Sequence, residues 1–259
     1  MTQSAAEPRT GSRAIDRAVD LLNAFHDFDG DVSVSEIRER LELPLSTAHR
    51  IAQALVRGRF LVQDPETEKY YLGPALLTLG QLAGRRIGLT GANEILAEVV
   101  EQTGETAAIA VVRGSRASMV SWVESQQALR VHLTTGPVIA MHATAVGKLF
   151  LSLEADPQGA VQRLGELARF TPATITDPRK LVKELTRIAK QGYSVNNEEM
   201  NASVRALAVP IRDAGGATVA ALCVEGPIQR ITDDRLEDVL SCMEQAAPRI
   251  GQAASFPQI

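Results

Sequence analysis

The sequence predicts an α+β chain of two domains joined by a helix, and three observations lead there. The 259 residues are long for one domain and comfortable for two. Apolar residues recur at helical spacing through Arg57, whereas beyond Gly91 short β-forming runs alternate with helical segments. Between these parts, Gly73-Pro74 opens a leucine-bearing stretch that glycines 84, 88 and 91 then loosen. The expected organisation is a flexible tail over 1–12, three helices and a hairpin over 13–73, a linker helix over 74–90, and a larger domain over 91–256.

Composition excludes several classes. An apolar fraction of 45% supports a proper core. No run approaches the roughly 18 apolar residues that cross a bilayer, and "MTQSAAEPRTGS" lacks the apolar heart of a signal peptide. A cytoplasmic chain is expected. Cys223 and Cys242 stand in no metal-ligand spacing and read as two reduced, buried thiols. The four histidines, His26, His49, His132 and His142, are scattered, and no HExxH, CxxC, P-loop or GxSxG pattern occurs. No metal, no cofactor and no enzymatic site is expected. The net charge of −4 does not advertise nucleic acid, so any attraction for phosphate must come from local segregation of charge.

The N-terminal elements follow in order. "RAIDRAVDLLNAF" places Ile15, Val19, Leu22 and Phe25, with Ala18, on one helical face. After the turn "FDGD", Ser33 with Glu36 three residues later makes a capping box for a short helix lined by Val34, Ile37 and Leu41. Pro44 suits the first turn of a third helix, whose apolar face carries Ala48, Ile51, Ala52, Leu55 and Val56. Its opposite stripe holds Ser46, Arg50, Gln53 and Arg57, with His49 at the margin and Gly58 as a left-handed stop. No acidic residue occurs from Leu43 to Gln63. "RFLVQ" and "KYYLG", separated by "DPETE", then make a hairpin.

Helix, helix, tight turn, helix, hairpin is the order of a winged helix-turn-helix, in which the third helix enters the major groove and the wing follows the backbone. Ser46, Thr47, His49, Arg50 and Gln53 are the candidates for base contact, while Arg57 and Lys69 supply phosphate attraction. One helix reads few base pairs, so a dimer on a repeated half-site of double-stranded DNA is expected. The competing reading is a three-helix domain that binds a protein partner.

The connector carries Leu76, Leu79 and Leu82, either as intradomain packing or as a dimer seam. Beyond it, "ANEILAEVVEQTG" is helical, and "TAAIAVVRG", "ASMVSWVES" and "LRVHLTTG" read as strands. "ATAVGKLFLSL" and "DPRKLVKELTRIAKQG" are helices. "YSVNN", "ALAVPIRD" and "TVAALCVEG" are strands, the last two joined by the turn "DAGG", and "TDDRLEDVLSCMEQAAPRI" is a terminal helix. Such a domain is suited to holding a small molecule between sheet and helices.

The ordered phrases "LPLSTAHRIAQALV", "VQDPETEKYYLGPALLTLG", "MHATAVGKLFLS", "QGYSVNNEE", "RALAVPIRDAGG" and "VEGPIQRITDDRL" resemble the IclR family of bacterial transcriptional regulators from about Gly11 to Gly251. The resemblance implies a winged helix-turn-helix paired with a GAF-like effector domain, a homodimer or homotetramer, and an operator-binding repressor or activator. It also implies an effector at the start of the "TAVGK" helix. Ala145 and Val146 lie at that start, with Asn196, Ala206, Cys223 and Glu225 on adjoining strands and Val131 and Ile139 as walls.

Departures from the family pattern carry their own expectations. Ala206 and Glu225 replace hydroxyl or thiol residues of members that bind small carboxylates, so a polyol, a sugar or a cation-bearing ligand is expected over a simple carboxylate. The alternative is that Glu225 points outward or pairs with Arg205 or Arg230. Glu42, Glu68 and Ser203 stand where glycine is common, and the turn at Glu42 then calls for a different backbone solution. A cysteine enzyme built on Cys223 with His132 or His142 is the remaining rival, which a strand thiol among apolar neighbours does not favour.

Overall fold

The computed structural model describes residues 10–26, 28, 30–113, 116–133 and 140–256. The chain divides into two compact units, Met1–Ala83 and Gly84–Ile259. Most of the expected tail over 1–12 lies outside the described residues, but α1 already begins at Thr10.

The first unit contains α1 (Thr10–Ala24), α2 (Val34–Arg40), α3 (Leu45–Arg57), β1 (Leu61–Gln63), β2 (Tyr70–Leu72) and most of α4 (Pro74–Arg86). Its core joins Leu21, Ile37, Ala48, Ile51, Ala52, Leu55, Leu61 and Tyr70. The Ser33–Glu36 capping box forms: Ser33 Oγ accepts from the Glu36 amide at 3.3 Å, and the Glu36 carboxylate accepts from the Ser33 amide at 2.7 Å. The Ser33 amide, and after it the Ser33 hydroxyl that donates to the same carboxylate at 2.7 Å, hold the Glu36 carboxyl below its ordinary pKa. The expected inner face of α1 needs correction. Leu21 is the fully buried residue, whereas Ile15 and Val19 are 67% and 50% exposed. The helix turns its Ala18, Leu21 and Phe25 side inward.

The stop of α3 also differs. Gly58 keeps right-handed geometry, and Arg59 takes the left-handed conformation at φ 60°. Gly58 is small for another reason, since a Cβ there would lie 2.8 Å from the Phe60 ring. Glu42, Glu68 and Ser203 adopt φ of 51°, 57° and 64°. The backbone is therefore the left-handed one that suits glycine, carried by side-chain-bearing residues, and no alternative turn is used.

The second unit contains α5 (Leu89–Thr103), β3 (Thr106–Arg113), β4 (Arg116–Val123), α6 (Ala145–Ser152), α7 (Pro157–Arg163), α8 (Pro178–Gln191), β5 (Ser194–Asn197), β6 (Val204–Arg212), β7 (Thr218–Pro227) and α9 (Asp233–Ala253). The strands form one antiparallel sheet in the order β4-β3-β7-β6-β5. One face offers Ile109, Leu207, Val209, Leu222 and Val224 to α5 and α9. The other is a floor of small residues, Ala108, Ala110, Ala206, Ala208, Ala221 and Cys223, beneath α6 and α8. That floor lets α6 lie deep, with all eight of its residues buried. Gly147 lets the segment leading into α6 pass close over the helix, because a Cβ there would meet the Met141 backbone at 2.3 Å.

One expectation fails here, and one element is new. Residues 129–133 are not a strand: the Val131 carbonyl accepts from Thr106 Oγ1 at 3.1 Å, and Arg130 folds back onto Glu124 and the Gln127 carbonyl. Residues 134–136 of the same segment lie outside the described residues. Helix α7, capped by Asp156 with Pro157 in its first turn, was not expected. Its signal was present, since an Asp-Pro pair starts α8 in the same way.

Candidate functional site

Two surfaces gather the candidate residues. On α3, Ser46, His49, Arg50 and Arg57 are exposed and Thr47 and Gln53 are half-buried, while Ala48, Ile51, Ala52 and Leu55 face the core. The polar stripe thus exists as a surface with no carboxylate on the helix. Lys69 is exposed at the base of the wing turn. That turn is tied by Asp64, whose carboxylate accepts from the amides of Glu66 at 3.0 Å and Thr67 at 2.7 Å. These bonds, the Thr67 amide first, lower the Asp64 pKa. Of these helix and wing residues, Gln53 is the one whose side chain is hydrogen-bonded to other described residues of the domain. Its Nε2 donates to Gln63 Oε1 at 2.7 Å and to the Tyr70 hydroxyl at 3.2 Å.

In the second unit, a pocket of about 190 Å³ opens between the sheet, the start of α6 and the β5–β6 connection. Val131, Ala145, Val146, Asn196, Ala206, Cys223 and Glu225 all line it. Ile139 lies outside the described residues. Sequence reasoning missed Met119, His132, Thr144, Met200 and Asn201, which also line it. Thr144 was legible as the N-cap of α6: its hydroxyl accepts from the Gly147 amide at 3.1 Å, leaving the Ala145 and Val146 amides without helical partners. A larger groove of about 1040 Å³ runs between the β6–β7 turn and the end of α9, but no candidate residue lines it. Chemistry, not size, singles out the smaller pocket.

Two polar groups define that chemistry. Asn196 is buried, and its Oδ1 accepts from the Glu199 amide at 2.8 Å, which leaves its two Nδ2 donors uncommitted. Glu225 lines the pocket with a buried Oε1 that has no hydrogen-bond partner among the described residues. Burial raises its pKa to about 7. Neither arginine neutralises it. Arg205 is engaged by Asn197, the Ile231 carbonyl and Asp233. Arg230 grips Glu105 with bonds of 2.5 and 2.6 Å. Glu225 thus lines the pocket and, among the described residues, pairs with neither arginine.

Behind the pocket, Lys148 of α6 is fully buried; it donates to the Val195 carbonyl at 2.7 Å and pairs with Glu199. Burial raises the Glu199 pKa against the opposing pull of Lys148. Ser194 Oγ donates to the Ala145 carbonyl at 2.5 Å, fixing β5 to the first turn of α6. Thr174 Oγ1 donates to the Glu199 carbonyl at 2.6 Å and so holds the connection after β5.

The thiol rival finds no support. Burial, with the Glu225 charge as second cause, pushes the Cys223 pKa well up, opposite to what a nucleophile needs. His142 is committed to the Ala168 carbonyl at 2.8 Å and His132 to Glu124. Both thiols are free, Cys223 buried and Cys242 only half-buried. Among the described residues no cluster of metal-ligating side chains occurs, and no helix is long and apolar enough to cross a membrane.

Comparison with known proteins shows the family of both units. Residues 14–65 match the IclR helix-turn-helix domain, and residues 88–252 match the bacterial transcriptional regulator IclR C-terminal domain. The chain is 35% identical to the HTH-type transcriptional regulator BhcR of Paracoccus denitrificans, covering 93% of this chain and 87% of that one. It is 32% identical to the HTH-type transcriptional repressor AllR of Salmonella typhi, covering 89% and 86%. An IclR homolog from Microbacterium hydrocarbonoxydans, solved in complex with 4-hydroxybenzoate, superposes with a TM-score of 0.73 at 25% identity, covering 93% of this chain and 98% of that one. An exposed, acid-free third helix and a ligand-sized pocket beneath α6 thus occur in a chain that matches one family along most of its length: this protein belongs to the IclR family of bacterial transcriptional regulators.

Proposed function

We propose that this regulator binds operator DNA through Ser46, Thr47, His49, Arg50 and Arg57 of α3, with Gln53 in the same stripe and Lys69 on the wing. It acts as a homodimer or homotetramer in the cytoplasm. Leu77, Leu79 and Leu82 on α4, and Ile15 and Val19 on α1, are exposed apolar side chains of the kind that a partner subunit covers. A small molecule in the second unit shifts the balance between subunit arrangements, by no more than its differential affinity for them. Salt-sensitive retardation of duplex DNA, weakened by Arg50→Ala, tests the DNA-binding part.

For the effector we propose a polyol, a sugar or a cation-bearing molecule over a simple carboxylate. The observation that carries this reading is the unpartnered Glu225 carboxyl in the pocket wall. A ligand hydroxyl or ammonium satisfies it, whereas an anion placed against it is repelled unless Glu225 takes up a proton. A thermal-shift screen of polyols, sugars, amines and aromatic acids tests the class, since ligands of the folded state raise apparent stability by mass action. 4-Hydroxybenzoate belongs in that screen because a structural relative binds it. Hits confined to carboxylates at pH 8, where Glu225 is ionised, would overturn the proposal.

A further inference from the structure

The wing is two strands of three residues each, tied to the domain at one end by the antiparallel bridge of Tyr70 with Val32, and a two-stranded hairpin of that size is marginal without further support. Part of its support is apolar, with Leu61 and Tyr70 each 1% exposed in the domain core. Part is a polar chain that starts in the middle of α3. Gln53 Nε2 donates to Gln63 Oε1 at 2.7 Å and to the Tyr70 hydroxyl at 3.2 Å, and these two residues are cross-strand partners. Gln63 Nε2 passes the connection on to the Glu68 carbonyl at 3.1 Å, immediately before Lys69. The Lys69 carbonyl in turn accepts from the Asp64 amide at 2.8 Å.

Both hydrogens of the Gln53 amide nitrogen are used within the domain. Reading adenine with glutamine requires one of those hydrogens for N7 of the base, together with the amide oxygen for its exocyclic amine. A base contact of that kind would release the wing from α3. Gln53 is also the half-buried member of the stripe, flanked at helical spacing by the exposed Arg50 and Arg57.

We propose that Gln53 is a positioning residue that braces the wing against the recognition helix and so sets where Lys69 meets phosphate relative to Arg50 and Arg57. The inference rests on the DNA-binding reading above. It assigns specificity to the other residues of α3, and to Gln53 the geometry that lets helix and wing engage one duplex together.

The test uses the full chain and a duplex that the wild-type protein enriches from a random-sequence pool. Gln53→Ala and Gln63→Ala should each bind that duplex more weakly. The slope of log affinity against log salt should fall by about 1, as for a lost phosphate contact. Lys69→Ala should lower the slope alike, and adding Gln53→Ala to it should lower the slope no further. The sequence enriched by Gln53→Ala should match the wild-type one. A sequence preference relaxed at one position with the salt slope unchanged, and Gln63→Ala silent, would make Gln53 a base reader and overturn the proposal. Hydrogen exchange in the free protein decides the brace without DNA. The Asp64 amide should exchange faster in Gln53→Ala while the amides of α3 keep wild-type protection. Equal exchange there sinks the brace, and loss of protection throughout α3 shows a folding role in place of a positioning one. Failure of the wild-type protein to enrich any duplex would instead remove the DNA-binding reading and, with it, the proposed role.

Discussion

Asn196 and Glu225 stand in one row of the central sheet on either side of Ala206, which pairs with Asn196 across β5–β6 and with Glu225 across β6–β7. Two strand spacings separate their backbones by about 10 Å, a span that a compact ligand can bridge. The Ala206 methyl between them leaves room above the sheet. One end of the row offers amide hydrogens, because the Asn196 oxygen is already occupied by the Glu199 amide, and the other offers a carboxyl. A ligand that fits is read by its acceptor at Asn196 and its donor at Glu225.

Exchanging the carboxyl should therefore exchange the ligand class. Glu225→Ser removes the charge and supplies a hydroxyl donor, so it should bind small carboxylates that the wild type ignores and lose affinity for the native effector. Titration calorimetry against the hits of the thermal-shift screen measures both changes. A variant that gains no acid and keeps the native ligand would show that Glu225 does not select.

The same carboxyl should make stability fall with rising pH. Its folded pKa of about 7 lies above the ordinary 4.5, so the folded state holds the proton more tightly than the unfolded chain. That contribution is complete below about pH 4.5 and is lost as pH climbs through 7. A shift of this size corresponds to roughly 3 kcal/mol. Glu225→Gln, which cannot ionise, should thus be more stable than wild type at pH 8 by about 3 kcal/mol and lose that advantage by pH 4.5. Urea unfolding at the two pH values reads the difference, and a parallel pH dependence in the two proteins would refute it.

Lys148 makes a sharper claim on stability. It is fully buried, and removing it strands the Glu199 carboxylate, one of whose oxygens already lacks a partner. Breaking a buried pair from one side costs about 3–5 kcal/mol, whereas replacing both members is far cheaper. Lys148→Met should therefore destabilise the second unit by about 3 kcal/mol or more, and Lys148→Met with Glu199→Gln should recover much of the loss. A double-mutant cycle by urea unfolding tests this, with additive costs as the opposing result.

Runs of β-forming residues made β3, β4, β5, β6 and β7 legible in a sheet covered on both faces, and periodicity made α3 legible, because its inner face packs on the core of the first unit. Periodicity misled at α1, where Ile15 and Val19 have the spacing of a core face and yet are exposed. It misled again at 129–133, where apolar residues line a pocket rim in place of joining a ladder. Glu225 was legible as an oddity of its position, but its lack of a partner was not, since that depends on Arg205 and Arg230 being engaged elsewhere. Gln53 shows the same limit. Its place on the polar stripe follows from helical spacing, while its bonds to Gln63 and Tyr70 depend on how the hairpin docks.

The left-handed residues give the last prediction. Glu42 is exposed and holds φ at 51° in the turn between α2 and α3. A residue with a Cβ gives up about 1–2 kcal/mol in that conformation, and glycine does not. Against that, glycine loses roughly 0.5–1 kcal/mol more backbone entropy on folding. The strain term is the larger, so Glu42→Gly should stabilise the first unit by up to about 1 kcal/mol. Glu42→Val adds β-branching at the same φ and should destabilise it by about 1 kcal/mol or more. Thermal unfolding of the two variants beside wild type gives the order directly. If Gly falls below Glu, the side chain contributes an interaction in the turn that outweighs its strain.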